Sequence, residues 1–373
     1  MRIRVHRETR PGERRVALVP RGATTLIEAG HHVVVPAGAG SAAGFRDEDY
    51  RNAGAEVDDG PAREADLVLA VGPVTAGDVA PTGAVISFLD PLGDPAGIAA
   101  LAGAGITAFA MEAIPRTTLA QSMDALSSQA TSAGYEAVLA GAAQLPRFLP
   151  MMMTAAGTIR PAKVLVLGAG VAGLTAIATA RRLGAIVAGY DIRPAAREQV
   201  ESLGATFVGG PVEESAEDAG GYAGAVTEDT RQAQLEALAT HVAAADLVIT
   251  TAQVPGREAP LLVTTEMVEA MAPGSVVVDL AAASGGNCEV SAPDRTVVHH
   301  GVTVMGPVDL PSRTAGHSSD MYSRNVVSLL THLTGEDGML AMDMDDEITA
   351  AACVAHDGAV VSERVRALLE EGS

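Results

Sequence analysis

Short apolar runs alternate with longer amphipathic stretches along the chain, and turn residues separate them. Residues 2–5, His31–Val35, Asp66–Val71, Ala84–Leu89 and Thr107–Ala110 read as strands, the later ones apolar enough to be buried. Between them, Pro20–Ala29, 47–54 and Pro95–Ala104 carry helical spacing, and Gly30 punctuates the first. This alternation predicts a parallel α/β domain. Residues 121–145 read as one long helix with Leu126, Ala130, Ala133, Ala137 and Ala140 on one face. A second alternation follows. It runs from a strand at Val164–Leu167 through a helix stopped by Gly184 to a strand at Ile186–Tyr190. It continues with a helix near 195–203, strand Thr206–Val208, helix 231–244, strand Leu247–Thr251, helix 265–272 and strand Ser275–Leu280. Segment 210–230 is acidic, glycine-rich and without apolar periodicity, so it is expected to be a mobile loop. Residues 319–334 and 359–370 are the last helical candidates.

The most informative stretch is Lys163–Asp191. After the apolar strand come Gly168, Gly170 and Gly173 as G-x-G-x-x-G, then a helix, a second strand and Asp191. Gly168 permits a tight turn, Gly170 lets a pyrophosphate approach the backbone, and Gly173 lets helix and strand pack closely. The helix N-terminus offers free N–H groups and a favourable dipole to the anion. An acid at the end of the second strand accepts from both ribose hydroxyls and repels a 2′-phosphate, which argues for NAD(H) over NADP(H). Arg193 is the nearby residue that softens that preference. Strand, glycines, helix, strand and acid occur in the required order. Nothing after residue 310 continues this pattern, so the C-terminal tail is expected to return to the first domain. The fold class is therefore α/β, with two Rossmann-like domains and parallel sheets. The NAD-binding domain, 131–319, is inserted into a discontinuous first domain, 1–130 and 320–373.

Composition narrows the function. The 373 residues allow two well-formed cores, and the absence of Trp with only five Phe makes them aliphatic. The net charge is −21 and Lys163 is the only lysine. That excludes a basic nucleic-acid footprint and disfavours binding to anionic lipid. Cys288 and Cys353 form no C-x-x-C, which suits a reducing cytoplasm. The opening MRIRVHRETR does not read as a signal peptide. Val164–Ala180 is nearly apolar but short for a membrane span and carries the glycine motif. Met151–Met153 reads as core filling at a domain junction.

The opening residues Arg7-Glu8-x-x-Pro11-Gly12-Glu13-Arg14-Arg15-Val16-Ala17-Leu18-Val19-Pro20 resemble the N-terminal signature shared by alanine dehydrogenases and the NAD(H)-binding part of proton-translocating transhydrogenases. The resemblance covers nearly the whole chain. Pro115–Ser128 (PRTTLAQSMDALSS) is similar to the transhydrogenase loop that lies over the nicotinamide. The resemblance implies that Arg116, Asp124 and Ser127 hold the cofactor's head group and that Gln121 reaches toward a partner subunit. Read from the residues alone, Asp124 and Ser127 are capping groups at a helix start. Gly220–Ala223 resembles the family's mobile loop, which implies that Tyr222 closes over the nucleotide. Pro255 and Gly256 after Thr250, Thr251 and Ala252 resemble the adenosine-side turn. Val171, Ala172 and Ile192 flank the motif residues and join the expected cofactor contacts. Asn287-Cys288-Glu289 resembles the loop near the nicotinamide, with Cys288 a small buried residue rather than a nucleophile. Gly306-Pro307-Val308-Asp309 departs from the family pattern, because Pro307 and Val308 lack hydrogen-bonding side chains.

Hydride transfer between two nicotinamides needs no proton donor, only two rings held close and dry. An amino-acid dehydrogenase needs a general acid/base and a cation for the substrate carboxylate. In the resembled alanine dehydrogenases a lysine and a histidine stand where this chain has Gly72 and Asp90. Arg15 alone reads as structural. The pairs His31–His32 and His299–His300 read as neighbours on strands, facing opposite ways and unsuited to share a metal. No metal is expected. The resemblance implies the NAD(H)-binding subunit of a proton-translocating transhydrogenase, with direct hydride transfer to NADP+ on a partner subunit. It also implies a membrane-spanning partner subunit, a homodimer and a cytoplasmic location held to the inner membrane through protein. A free-standing alanine dehydrogenase and a non-catalytic NAD(H)-binding module are the alternatives.

Overall fold

A computed structural model describes residues 1–60, 64–209, 228–254 and 256–371. The chain divides into two units, Met1–Gln129 with Pro311–Ser373, and Ala130–Leu310. Among the described residues, no helix is long and apolar enough to cross a membrane.

The first unit opens with β1 (Arg2–Val5), α1 (Pro20–Glu28), β2 (His32–Val35), α2 (Asp47–Asn52), β3 (Glu56–Val57), β4 (Leu67–Leu69), β5 (Ala84–Ser87), α3 (Pro95–Gly103) and β6 (Thr107–Ala110). Pro20 starts α1, where its missing N–H costs nothing, and the Asp94 carboxylate accepts from Gly97 N–H to start α3. A 3-10 turn at Gln121–Met123 leads into α4 (Ala125–Gln144). The single helix expected over 121–145 is thus broken at Asp124, whose ψ of 86° is not helical. The cause is its side chain, which accepts from Ser127 N–H at 2.8 Å as an N-cap.

The second unit holds most of α4 and a separate hairpin of β7 (Met152–Thr154) and β8 (Gly157–Ile159). Then come β9 (Lys163–Leu167), α5 (Val171–Arg182), β10 (Ile186–Tyr190), α6 (Ala196–Ser202), β11 (Thr206–Phe207), α7 (Glu228–Ala243), β12 (Leu247–Thr250), α8 (Thr265–Glu269), β13 (Val276–Asp279), β14 (Thr296–His299) and β15 (Val302–Met305). The chain order resumes with α9 (Leu310–Arg313), and in the first unit α10 (Ala315–Leu333), α11 (Glu347–Ala352), β16 (Cys353–His356), β17 (Ala359–Val360) and α12 (Glu363–Glu371).

The first unit's sheet runs β17-β16-β6-β5-β4-β1-β2-β3, parallel from β6 to β3. The second unit's sheet runs β11-β10-β9-β12-β13-β15-β14, parallel except for β14. In each, the first strand sits beside the fourth of its order of appearance in the sheet, so a topological switch point lies between β1 and β4 and between β9 and β12. Ligands bind at such points, outside the carboxyl ends of the strands. The cores are aliphatic. One holds Leu18, Leu69, Ile86, Leu329 and Leu330 with Phe109 and Tyr322. Val164, Val166, Ile177, Ile249 and Val278 lie in another. Each such side chain contributes about 1.5–3 kcal/mol on burial.

Two sequence readings are corrected. Residues 359–370 do not form one helix, because Asp357 and Gly358, both at positive φ, turn the chain into the β16–β17 hairpin. Met151–Met153 is not core filling. The three side chains are 58%, 38% and 79% exposed, on and beside a hairpin packed in neither sheet.

Candidate functional site

In the second unit the carboxyl end of β9 turns sharply at Gly168, whose φ of +98° suits glycine. A Cβ on Gly173 would lie 1.8 Å from the Gly168 carbonyl oxygen, so only glycine lets α5 start this close to β9. A Cβ on Gly170 would meet nothing within 4 Å, so the middle glycine borders open space. Gly170 is the N-cap of α5 and no side chain caps the helix there. The N–H groups of Val171 and Ala172 open that helix, whose N-terminus is suited to an anion. This is the cradle that a pyrophosphate requires.

Asp191, just past β10, is 7% exposed. Its carboxylate accepts from Ala169 N–H at 2.7 Å, which ties the second strand to the glycine turn. Arg193 donates to it from the backbone N–H, Nε and Nη2, each at 2.9 Å. Ile192, between them, is half-buried. Each carboxylate oxygen thus already accepts two N–H groups, its ordinary capacity. Across the switch point, Thr251 follows β12 and its hydroxyl donates to the Gly168 carbonyl at 3.1 Å.

A residue that sequence reading did not single out organises this edge. Asp279, fully buried at the end of β13, accepts from the Thr250 and Ser291 hydroxyls and from Ala281, Asn287 and Cys288 N–H. Asn287 in turn accepts from Ala252 N–H at 3.0 Å and donates to the Ala252 carbonyl at 2.8 Å. The 281–291 loop therefore fixes the Thr251–Ala252 turn. The signal was an acid ending a buried apolar run, the same pattern that marked Asp191. Cys288 is buried and its thiol is pushed up to about 11, chiefly by burial, which agrees with a packing role.

In the first unit Arg116 and Gln121 are exposed and Asp124 and Ser127 half-buried, all in the segment that enters α4. Asp124 accepts from both the N–H and, at 2.6 Å, the hydroxyl of Ser127. The capping reading of these two residues thus holds in the structure. Tyr222, with the loop expected around it at 210–227, and Pro255 lie outside the described residues.

The carboxyl edge of the first unit's own sheet is occupied by acids. Glu8, after β1, accepts from Val71 N–H at 2.6 Å and Gly72 N–H at 3.4 Å, beyond β4. Glu112, after β6, accepts from Leu89 and Asp90 N–H at 2.9 and 2.5 Å, beyond β5. Burial raises both carboxyls, Glu112 to about 7. Glu13 differs. Burial pushes it up, but hydrogen bonds and charge from Arg15, with the Ser312 hydroxyl, hold it down to about 2. Arg15 spends its guanidinium on Glu13 and Gln129, a structural role.

The histidine reading needs one correction. His299 ends β14 but His300 has a φ of +48°, so the two rings stack with centroids 4.8 Å apart instead of facing opposite ways.

Two family profiles match the chain: Alanine dehydrogenase/PNT, N-terminal domain, over residues 4–133, and Alanine dehydrogenase/PNT, C-terminal domain, over residues 137–363. The chain belongs to the alanine dehydrogenase/PNT family. It is 45% identical over 375 residues to the first of the polypeptides that make up NAD(P) transhydrogenase subunit alpha in Rhodospirillum rubrum, a match covering 97% of this chain and 98% of that one. The crystal structure of transhydrogenase from Sinorhizobium meliloti matches with a TM-score of 0.88 at 45% identity, over 96% of this chain and 100% of that one. Alanine dehydrogenase of Halomonas elongata is more distant, 32% identical over 371 residues, 96% of this chain and 94% of that one. Within the alanine dehydrogenase/PNT family the chain is therefore nearer to these transhydrogenase relatives than to that dehydrogenase, and it shares their two-domain α/β fold.

Proposed function

We propose that this chain is the NAD(H)-binding subunit of a proton-translocating NAD(P) transhydrogenase, which holds NADH and passes hydride directly to NADP+ on a partner subunit. The observation that carries this reading is the carboxyl edge of the first unit. Glu8 and Glu112 lie against the backbone at Gly72 and Asp90, where the resembled dehydrogenases have a lysine and a histidine. A keto acid is an anion and would meet acids there, so the chemistry left to the dinucleotide turn of the second unit is transfer between two nucleotides.

The nicotinamide supplies the hydride-carrying carbon, and the protein supplies binding, orientation and exclusion of water. Gly168, Gly170 and Gly173, with Val171 and Ala172, present the α5 N-terminus to the pyrophosphate. Asp191 takes the adenosine ribose hydroxyls, with Ile192 and Arg193 beside it and Thr251 and Ala252 on the other side of the switch point. Arg116, Asp124 and Ser127 hold the nicotinamide head group and Gln121 addresses the partner. Tyr222 belongs to the closing loop. No metal takes part. The net charge of −21 repels anionic lipid, which supports a cytoplasmic subunit attached to the inner membrane through a membrane-spanning subunit and an NADP(H)-binding subunit. The exposed β7–β8 hairpin supports a homodimer.

Mixing the chain with a transhydrogenase NADP(H)-binding subunit tests the reading. Hydride should pass between NADH and an NADP+ analogue, and the isolated chain should not oxidise NADH with pyruvate and ammonia. The reverse pattern would make it an amino-acid dehydrogenase, and neither activity would leave a binding module.

A further inference from the structure

The hairpin between β14 and β15 has a two-residue tip. His299 pairs with Val302, and the two central residues, His300 and Gly301, have φ of +48° and +79°. Both values are left-handed, the geometry that favours Asn, Asp or Gly at the first position. A histidine there costs about 1 kcal/mol. Its effect is to swing the His300 ring onto the face of His299, at an interplanar angle of 19°. Both rings then meet Glu269, the last residue of α8. The His299 Nε2 lies 3.0 Å and the His300 Nε2 3.4 Å from the same carboxylate oxygen, Oε1. The donor atoms of the three residues all lie within 4.8 Å of one another.

We propose that Glu269, His299 and His300 form a binding site for a divalent transition-metal ion of the zinc type. Zinc binds imidazole nitrogen and carboxylate oxygen at about 2.0–2.2 Å, and a tetrahedral arrangement then spaces neighbouring donors about 3.4 Å apart. The two N···O separations already match that spacing. The His300 side chain is 60% exposed and the His299 side chain 32%, so the rings can turn to close the third edge. Water completes the fourth position. Two imidazoles with one carboxylate suit zinc, nickel or copper and not calcium or magnesium. The site lies at the tip that precedes β15, hence at the amino ends of the parallel strands, whereas the glycine turn follows the carboxyl end of β9. Its role is therefore structural. A bound ion clamps the edge hairpin of the sheet to the end of α8, and it takes no part in hydride transfer.

The test is a calorimetric titration of the chelator-treated chain with zinc chloride, together with melting curves with and without zinc. Wild type should bind one equivalent saturably and melt at a higher temperature with zinc present. His300→Asn keeps a residue that tolerates the left-handed tip, and Glu269→Gln leaves the hairpin untouched. Each should weaken zinc binding at least about tenfold and abolish the zinc-dependent rise in melting temperature. Absence of saturable binding in wild type, or unchanged affinity in His300→Asn, would overturn the proposal.

Discussion

At the scale of single residues, Glu112 is the clearest anomaly. Oε1 accepts two N–H groups, while Oε2 is buried with no hydrogen-bond partner among the described residues. Burial lifts the carboxyl from an ordinary 4.5 to about 7. The folded state therefore holds this proton more tightly than the unfolded chain. The associated stabilisation is complete below the unfolded value and is lost as the pH rises through about 7. Its size is on the order of 3 kcal/mol. Glu112→Gln keeps the acceptor and removes the charge. It should raise stability at pH 8 by about 1–3 kcal/mol and flatten the stability difference between about pH 5.5 and pH 8, read by urea denaturation. Equal pH dependence in variant and wild type would assign the titration elsewhere. Asp191→Ala should weaken NADH binding about 10- to 100-fold in a calorimetric titration, since a charge-assisted hydrogen bond is worth about 1.5–3 kcal/mol. Unchanged affinity would take the acid off the ribose. Gln121→Asn should slow hydride transfer with NADH affinity nearly intact, in stopped-flow mixing with the partner subunit; a large affinity loss would contradict a role aimed at the partner. The Glu8 and Glu13 motif was legible in the sequence, but its work was not. Glu8 serves amides 63 and 64 residues away, and no local pattern carries that separation.

At the scale of elements, the two later glycines of the motif separate packing from binding. Gly173→Ala drives a methyl into the Gly168 carbonyl, a contact that only a shift of α5 relieves. It should lower the melting temperature and abolish NADH binding together. Gly170→Ala meets open space, so the fold should survive with an unchanged melting temperature. NADH affinity should fall at least about tenfold, because the methyl occupies the pyrophosphate's approach. Equal losses of stability in both variants would deny the distinction. The parallel strands and their crossovers were legible because each buried strand is a continuous apolar run. The β14–β15 and β16–β17 hairpins were not. Their strands are short and lie at sheet edges, and the informative residues are the tips, His300-Gly301 and Asp357-Gly358. Asp-Gly between apolar pairs is a hairpin signal, whereas a histidine in that position is not. The break before α4 was hidden for a related reason. Asp124 serves both as a cap and inside an apolar spacing that runs on without it.

At the scale of the whole molecule, charge and exposed apolar surface pull in different directions. A net charge of −21 keeps copies of the chain apart, and the repulsion is screened over about 8 Å at physiological salt. The β7–β8 hairpin works against it. All six of its strand residues are exposed, and Phe148, Met151 and Met153 beside and on it are 54%, 58% and 79% exposed. An isolated two-stranded hairpin is marginal in water, so one that packs in neither sheet needs a second surface to hold it. Methionine and phenylalanine are residues that interfaces favour. A second copy of the chain is the partner that the proposed homodimer supplies. Replacing Met151 and Met153 together by Glu adds two buried charges per protomer to that contact, and like charges there meet each other. The dimer should dissociate at least about 100-fold more readily, equivalent to about 3 kcal/mol. Sedimentation analysis across a dilution series reads that change directly. NADH affinity should stay within about twofold, because the substituted residues lie outside the glycine turn and the Arg116–Ser127 segment. A dimer of unaltered strength would remove the hairpin from the interface. Raising the salt should tighten the wild-type dimer, since screening weakens the repulsion between acidic copies while leaving the apolar contact in place.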